Sequence, residues 1–272
     1  MVEAEKDKKI YATAIKSLES AGKILMTFLL NDKINKSFPK DENDIETEAD
    51  RLSGRTIKKI ILNNFPDHGI LLEESDFDRP SDSEYLWVID SIAGTINFDA
   101  KIPHFGINIA LTKNDIPIYG FVYFPYTSDL FYAKIGKGAY HINKKLKINR
   151  KMKVSKINDA KDSVLLLDSG KSLEKRLWTG RIFCKVLPFF RQVDKFSNAQ
   201  EAGLLGTTKV VGYVCNSAHY WDFIAHKLII EESGGKTSDI HGNSLNKESK
   251  SVIYSNGLLH KYIVDLVKDT NN

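Results

Sequence analysis

Two cysteines, Cys184 and Cys215, are all the thiol chemistry in 272 residues. That excludes a disulfide scaffold and a thiolate zinc cluster. The seven histidines show no paired metal-ligand spacing, so zinc is not expected either. Long apolar runs are missing: stretches such as Ile24 to Leu30 and Ser163 to Leu167 are far short of the roughly 20 residues of a membrane span. There is no internal repeat and no low-complexity linker. Charge of one sign is also lacking, since 39 bases stand against 35 acids for a net +4, too slight to bind nucleic acid by charge alone. The first residues, Met1 to Asp7, carry both charge signs and no apolar signal core. These absences lead us to expect a soluble protein of the reducing cytoplasm. Neither a membrane nor a nucleic-acid polymer is expected as a partner.

What is present is enough apolar material, 42% of residues, to bury a large core in one domain or two joined halves. From Lys8 to Leu30, Ile10, Ala14, Ile15, Leu18, Ala21, Leu25, Phe28 and Leu29 recur at three and four, the period of an amphipathic helix. Asp44 to Phe65 reads as a second helix, stopped by Asn63-Asn64-Phe65-Pro66. Gly69 to Glu73 and Tyr85 to Asp90 read as buried strands that each end in an acid. Phe105 to Tyr140 is rich in Ile, Val, Phe and Tyr and is broken at Lys113-Asn114-Asp115, Pro125-Tyr126 and Gly136-Lys137-Gly138, the punctuation of an antiparallel meander. A strand near Ser163 to Leu167 opens the second half. Helices follow over Asn198 to Leu205 and Trp221 to Glu232, the latter capped by Ser233-Gly234-Gly235. The pattern predicts a layered α/β protein with an N-terminal half over residues 1–150 and a C-terminal half over 151–272 that completes the active site.

Acids at element ends carry the chemical signal. Glu73 and Glu74 close one strand, Asp90 closes the next, and Asp222 opens a helix. Asp44 and Asp50 flank Thr47. Singly such acids are helix caps or solvated ends, but together they offer hard oxygen ligands of the kind Mg²⁺ takes when a substrate phosphate supplies the rest. Just after Asp90, Gly94 permits close backbone approach and Thr95 opens a short helix, so their N–H groups could receive a phosphate.

The stretch Trp87 to Phe98 resembles the signature Trp-x-Ile-Asp-Pro-Ile-Asp-Gly-Thr-x-Asn-Phe of the inositol monophosphatase family, lithium-sensitive Mg²⁺ phosphomonoesterases, departing from it at two positions. Trp221-Asp222-Phe223-Ile224-Ala225 through Glu232-Ser233-Gly234-Gly235 is similar to the second signature. Leu72-Glu73-Glu74-Ser75 matches Gly-Glu-Glu-Ser, Asp44 to Asp50 matches Asp-x-x-Thr-x-x-Asp, and Gly136 to Tyr140 resembles the Gly-x-Gly-Ala-aromatic hairpin. These matches keep the family's order over about residues 8 to 260. The resemblance implies an αβαβα sandwich of the inositol monophosphatase and fructose-1,6-bisphosphatase type, a homodimer, and two or three Mg²⁺ ions with Li⁺ as inhibitor. By the same resemblance Glu73, Asp90 and the Ile92 carbonyl hold a first ion, while Asp90 and Asp222 hold a second. Gly94 and Thr95 take phosphate oxygens, Thr95 with Glu73 orients the attacking water, and Asp50 supports Thr95 or a third ion. Ile92, Ala93, Gly94, Thr95, Ser197, Cys215 and Asp222 form the implied substrate contacts.

Three departures bear on function. Ala93 stands where the family has a metal-ligating aspartate, and a methyl group coordinates nothing. Ser91 stands at the signature's proline, and this second change favours natural divergence over a single introduced knock-out. Cys215 falls where inositol phosphatases carry a glutamate for sugar hydroxyls, so weaker discrimination between polyol phosphates is expected. The function implied is hydrolysis of inositol monophosphate or a sugar phosphate, impaired by Ala93. The alternatives are a 3′(2′),5′-bisphosphate nucleotidase or fructose-1,6-bisphosphatase on the same scaffold, and a catalytically weak homologue that binds a phosphorylated ligand or partner.

Overall fold

The computed structural model describes residues 3–31, 36–41, 44–73, 82–196 and 200–268. The first periodic stretch forms α1 (Glu3–Leu29), with Ile10, Ala14, Leu18, Ala21 and Leu25 buried along one face. A two-stranded ribbon follows, β1 (Ser37–Asp41) against β2 (Asp44–Thr47). The second helix therefore begins later than its apolar period suggests, as α2 (Glu48–Asn64). The reason is a capping box: the Asp50 N–H donates to the Thr47 hydroxyl, and the Asp50 carboxylate accepts from the Thr47 N–H at 2.8 Å.

A seven-stranded sheet runs in chain order through β3 (Gly69–Leu72), β4 (Tyr85–Ala93), β5 (Gly106–Lys113), β6 (Ile116–Phe124), β7 (Asp129–Lys134), β8 (Gly138–Asn143) and β9 (Ile148–Lys151). Among the described residues only the first pair is parallel; the expected meander gives β5 to β8, and β4 and β9 extend it antiparallel at either side. The short helix α3 (Thr95–Asp99) fills the gap between β4 and β5. A second sheet, ordered β11-β10-β12-β14-β13, is built from β10 (Val164–Leu167), β11 (Gln192–Lys195), β12 (Val210–Cys215), β13 (Lys236–Ser238) and β14 (Val252–Ser255). Between its strands come α4 (Leu173–Val186), α5 (Glu201–Thr207), α6 (Tyr220–Glu232) and, last, α7 (His260–Lys268).

Three hydrophobic layers bind these elements into five. Trp87, Ile89 and Ile92 of β4 face α1 and α2, while Val88 and Ala93 face the other way, onto α5 and α6. The second sheet repeats the division: Tyr213 and Cys215 join the α5–α6 layer, and Val211 and Val214 pack with Trp178 and Ile182 of α4 and Ile263 of α7. Each strand alternates between two buried faces, with the period shifted by one residue at a register break after Asp90 in β4 and at Val211 in β12. The order is α1/α2, large sheet, α5/α6, small sheet, α4/α7, the αβαβα sandwich. The middle layer is tight. A Cβ on Gly120 of β6 would stand 2.6 Å from the Ala225 carbonyl oxygen of α6, so only glycine lets that helix lie against the sheet.

Candidate active site

Asp90 does not close its strand. β4 continues to Ala93 through a register break, with Asp90 opposite Asn108 and Ala93 opposite Gly106. The bulge places one extra residue on β4 and re-aims the side chains beyond it. Asp90 is buried and pinned on both oxygens: Oδ1 accepts from the Ile92 N–H at 3.0 Å, and Oδ2 from the Asn108 amide at 3.5 Å. Glu73 sits one residue past β3, where its N–H donates to the Ile89 carbonyl at 3.1 Å and carries the ladder one step further. Asp222 lies in the first turn of α6 and accepts from the His219 N–H at 2.7 Å. Three elements thus bring three carboxylates together, with one oxygen of each within 4.8 Å of the others.

Mutual repulsion marks the cluster. Burial, then Glu73 and Asp222, push the Asp90 carboxyl well above the usual carboxylate range. Burial, then Glu73, push Asp222 up to about 7. Carboxylates so crowded cannot all ionise without a cation, and hard oxygen donors suit a hard divalent ion. The donor set therefore fits the metal that the motifs imply.

The three acids line a cavity of about 220 Å³ together with Ile92, Ala93, Gly94 and Thr95. Gly94 has φ +91°, a left-handed conformation that glycine adopts without strain. The Thr95 hydroxyl lies 3.0 Å from the Ile92 carbonyl and 3.3 Å from Asp50 Oδ1. Both are acceptors, so its one proton points to them and its lone pairs remain to accept from a ligand. Asp50 stands behind the cavity, serving Thr95 and the α2 cap at once.

Cys215 is not brought to this cavity. Its side chain is buried in the middle hydrophobic layer, its sulfur accepts from the Ser217 N–H at 3.4 Å, and burial pushes its thiol well above the normal range. The expected substrate contact is corrected accordingly: the strand-alternating pleat turns the side chain inward. Ser197 lies outside the described residues. Ser91, at the signature's proline, is also turned away from the cavity, its hydroxyl donating to the Asp50 carbonyl at 3.0 Å.

Sequence reasoning found Asp44 but missed the rest of the opposite wall, which Asp168, Lys171, Arg176 and Lys195 supply. Asp168 had a readable signal: it comes directly after Val164–Leu167, an acid at a strand tip like Glu73. Lys171 had none, because nothing local distinguishes it from the other lysines. Its ammonium donates to Asp44 at 2.6 Å, and Lys40 donates to Glu73 at 3.1 Å.

The sequence profile of the inositol monophosphatase family matches residues 6–271. A Thermotoga maritima protein named fructose-1,6-bisphosphatase/inositol-1-monophosphatase is 32% identical over 227 residues, 83% of each chain. The Nus factor SuhB of Vibrio cholerae is 28% identical, covering 95% of this chain and 96% of its own. Among solved structures, the Thermotoga maritima IMPase superposes with a TM-score of 0.85 at 29% identity, covering 97% of this chain and 98% of the other. The inositol monophosphatase of Anabaena (Nostoc) gives 0.82 at 26%, covering 97% and 96%. With its layers, its acid cluster and these likenesses in agreement, the chain belongs to the inositol monophosphatase family.

Proposed function

We propose that the chain is a Mg²⁺-dependent phosphomonoesterase acting on a small polyol or sugar phosphate. The observation that supports this most is the convergence of Glu73, Asp90 and Asp222 within 4.8 Å, in one cavity with Gly94 and Thr95. Glu73, Asp90 and the Ile92 carbonyl would hold one ion, and Asp222 with Asp90 would mark the place of a second, to which Ala93 offers no ligand. Bound there, a divalent ion supplies a water of lowered pKa and positive charge for the phosphate.

The chain's own residues do the positioning. Gly94 and Thr95 receive phosphate oxygens at the start of α3. The free lone pairs of the Thr95 hydroxyl, with Glu73 nearby, accept from the attacking water and aim it. Asp50 keeps Thr95 in place, and because it also caps α2, the aim is fixed to the scaffold. Acids held rigidly by two strands and a helix start suit this chemistry, since phosphate hydrolysis asks for geometry and charge neutralisation.

Ala93 favours a second reading, a weak catalyst that binds a phosphorylated ligand. The Thermotoga relative named for two phosphatase activities and the Vibrio relative named a Nus factor show that one scaffold carries differently named proteins. A phosphate-release screen over inositol, sugar and nucleotide phosphates, with Mg²⁺ and with chelator, separates the readings. Chelator-sensitive release from polyol or sugar monophosphates supports the first; ester binding without release supports the second. Bisphosphates as the best substrates would move the assignment to the nucleotidase or fructose-bisphosphatase type.

A further inference from the structure

Lys171 is carried into the cavity by a built turn. After β10, Asp168 Oδ1 accepts from the Gly170 N–H at 2.7 Å, and Gly170 turns at φ +72°. A Cβ at Gly170 would stand 2.5 Å from the Lys175 side chain, so the turn is closed to other residues. The Lys171 side chain is one-third exposed and lines the same cavity as Ala93, Glu73 and Asp222, from the opposite wall. Burial would lower its pKa, but Glu73 and Asp222, then Asp44, hold it above the ordinary lysine value. The ammonium is therefore a fixed positive charge facing the acid cluster.

Charge bookkeeping sharpens the point. The cavity is lined by five acids (Asp44, Glu73, Asp90, Asp168, Asp222) and three bases (Lys171, Arg176, Lys195), an excess of two negative charges. That is the charge of one divalent ion. Lys40, paired with Glu73, reduces the excess further. A second divalent ion would lack both the carboxylate that Ala93 has lost and the negative charge to hold it.

We propose that Lys171 is a catalytic residue, a resident ammonium that contacts the substrate phosphate and supplies the charge a second ion would bring, leaving a centre with one tightly held divalent ion. This rests on the phosphatase reading. In the reaction the water oxygen forms the new P–O bond as the ester P–O bond breaks. The leaving alkoxide takes up the proton that the water gives, through solvent, and inorganic phosphate and alcohol result. Lys171 stays protonated throughout, donating hydrogen bonds to oxygens that gain charge.

The test is calorimetric titration of Mn²⁺, and of inorganic phosphate in its presence, into the full chain, Lys171→Met, Lys171→Arg and Ala93→Asp with Lys171→Met. The unaltered chain should bind one ion tightly. Lys171→Met should lose about tenfold or more in phosphate affinity while gaining affinity for a second ion, because Asp44 is released and the negative excess grows. Lys171→Arg should retain phosphate binding, and the double variant should bind two ions. A merely structural lysine would not move the two affinities in opposite directions. Two tight ions in the unaltered chain, or phosphate affinity within twofold in Lys171→Met, overturns the proposal and leaves the phosphatase reading standing. If the unaltered chain binds no divalent ion and releases no phosphate, the phosphatase reading itself falls.

Discussion

Ala93 sets the level of activity expected. Replacing it by aspartate restores a carboxylate at the bulged end of β4. Losing even an outer partner of a metal site typically costs about 10–100-fold, so Ala93→Asp should raise phosphate release at limiting Mg²⁺ by at least about tenfold. Equal rates in the two forms would mean another group already does the work. His68 governs a different property. Its Nδ1 accepts from the Trp87 indole at 3.0 Å, and burial lowers its pKa to about 4, so the folded protein holds it neutral. Its stabilising share is full above the unfolded pKa near 6.5 and is lost as pH falls towards 4. By pH 5 the loss is on the order of 2 kcal/mol. Melting temperature should fall between pH 7 and 5, and less so in His68→Leu. A variant as acid-sensitive as the parent would remove His68 from the account.

Among elements, the hairpin motif turns out to be structural. The N–H groups of Gly136 and Gly138 both donate to the Glu232 carboxylate at 2.6 Å, so the β7–β8 turn is tied to the last residue of α6. Glu232→Ala should cost roughly 1–3 kcal/mol, and the Gly136 and Gly138 amides should lose exchange protection. Unchanged protection would show the tie to be idle. Elements with strong periodicity were legible in the sequence: α1, the meander and α6. The start of α2 was not, because the capping box outweighs the apolar period in choosing where the helix begins. The period ran on through Asp44 to Thr47, which pair as a strand instead. α4 was missed because exposed Leu173 and Leu177 blur its stripe of Trp178, Ile182 and Val186. At the site, acids at strand tips were readable, since burying an acid there is costly without purpose. Lys171, Arg176 and Lys195 come together only in three dimensions, and Cys215 was misplaced because a motif position does not say which way a pleated strand turns.

At the scale of the whole molecule, one layer joins the two sheets. α6 lies between the sheets and carries Asp222 to Glu73 and Asp90 of the large sheet, while the β10–α4 turn of the small sheet brings Lys171 to the opposite wall. The centre is therefore assembled only when both sheets are docked. Metal binding should stabilise the assembled fold by mass action: saturating Mg²⁺ should raise the melting temperature of the full chain, and Asp222→Asn should lose most of that rise. The most direct measurement is phosphate release from inositol and sugar monophosphates against Mg²⁺ concentration, for the unaltered chain and for Asp90→Asn. The account predicts slow release that depends on Mg²⁺, stops with chelator and is abolished in Asp90→Asn. Release that is indifferent to Mg²⁺, or that survives in Asp90→Asn, would contradict it.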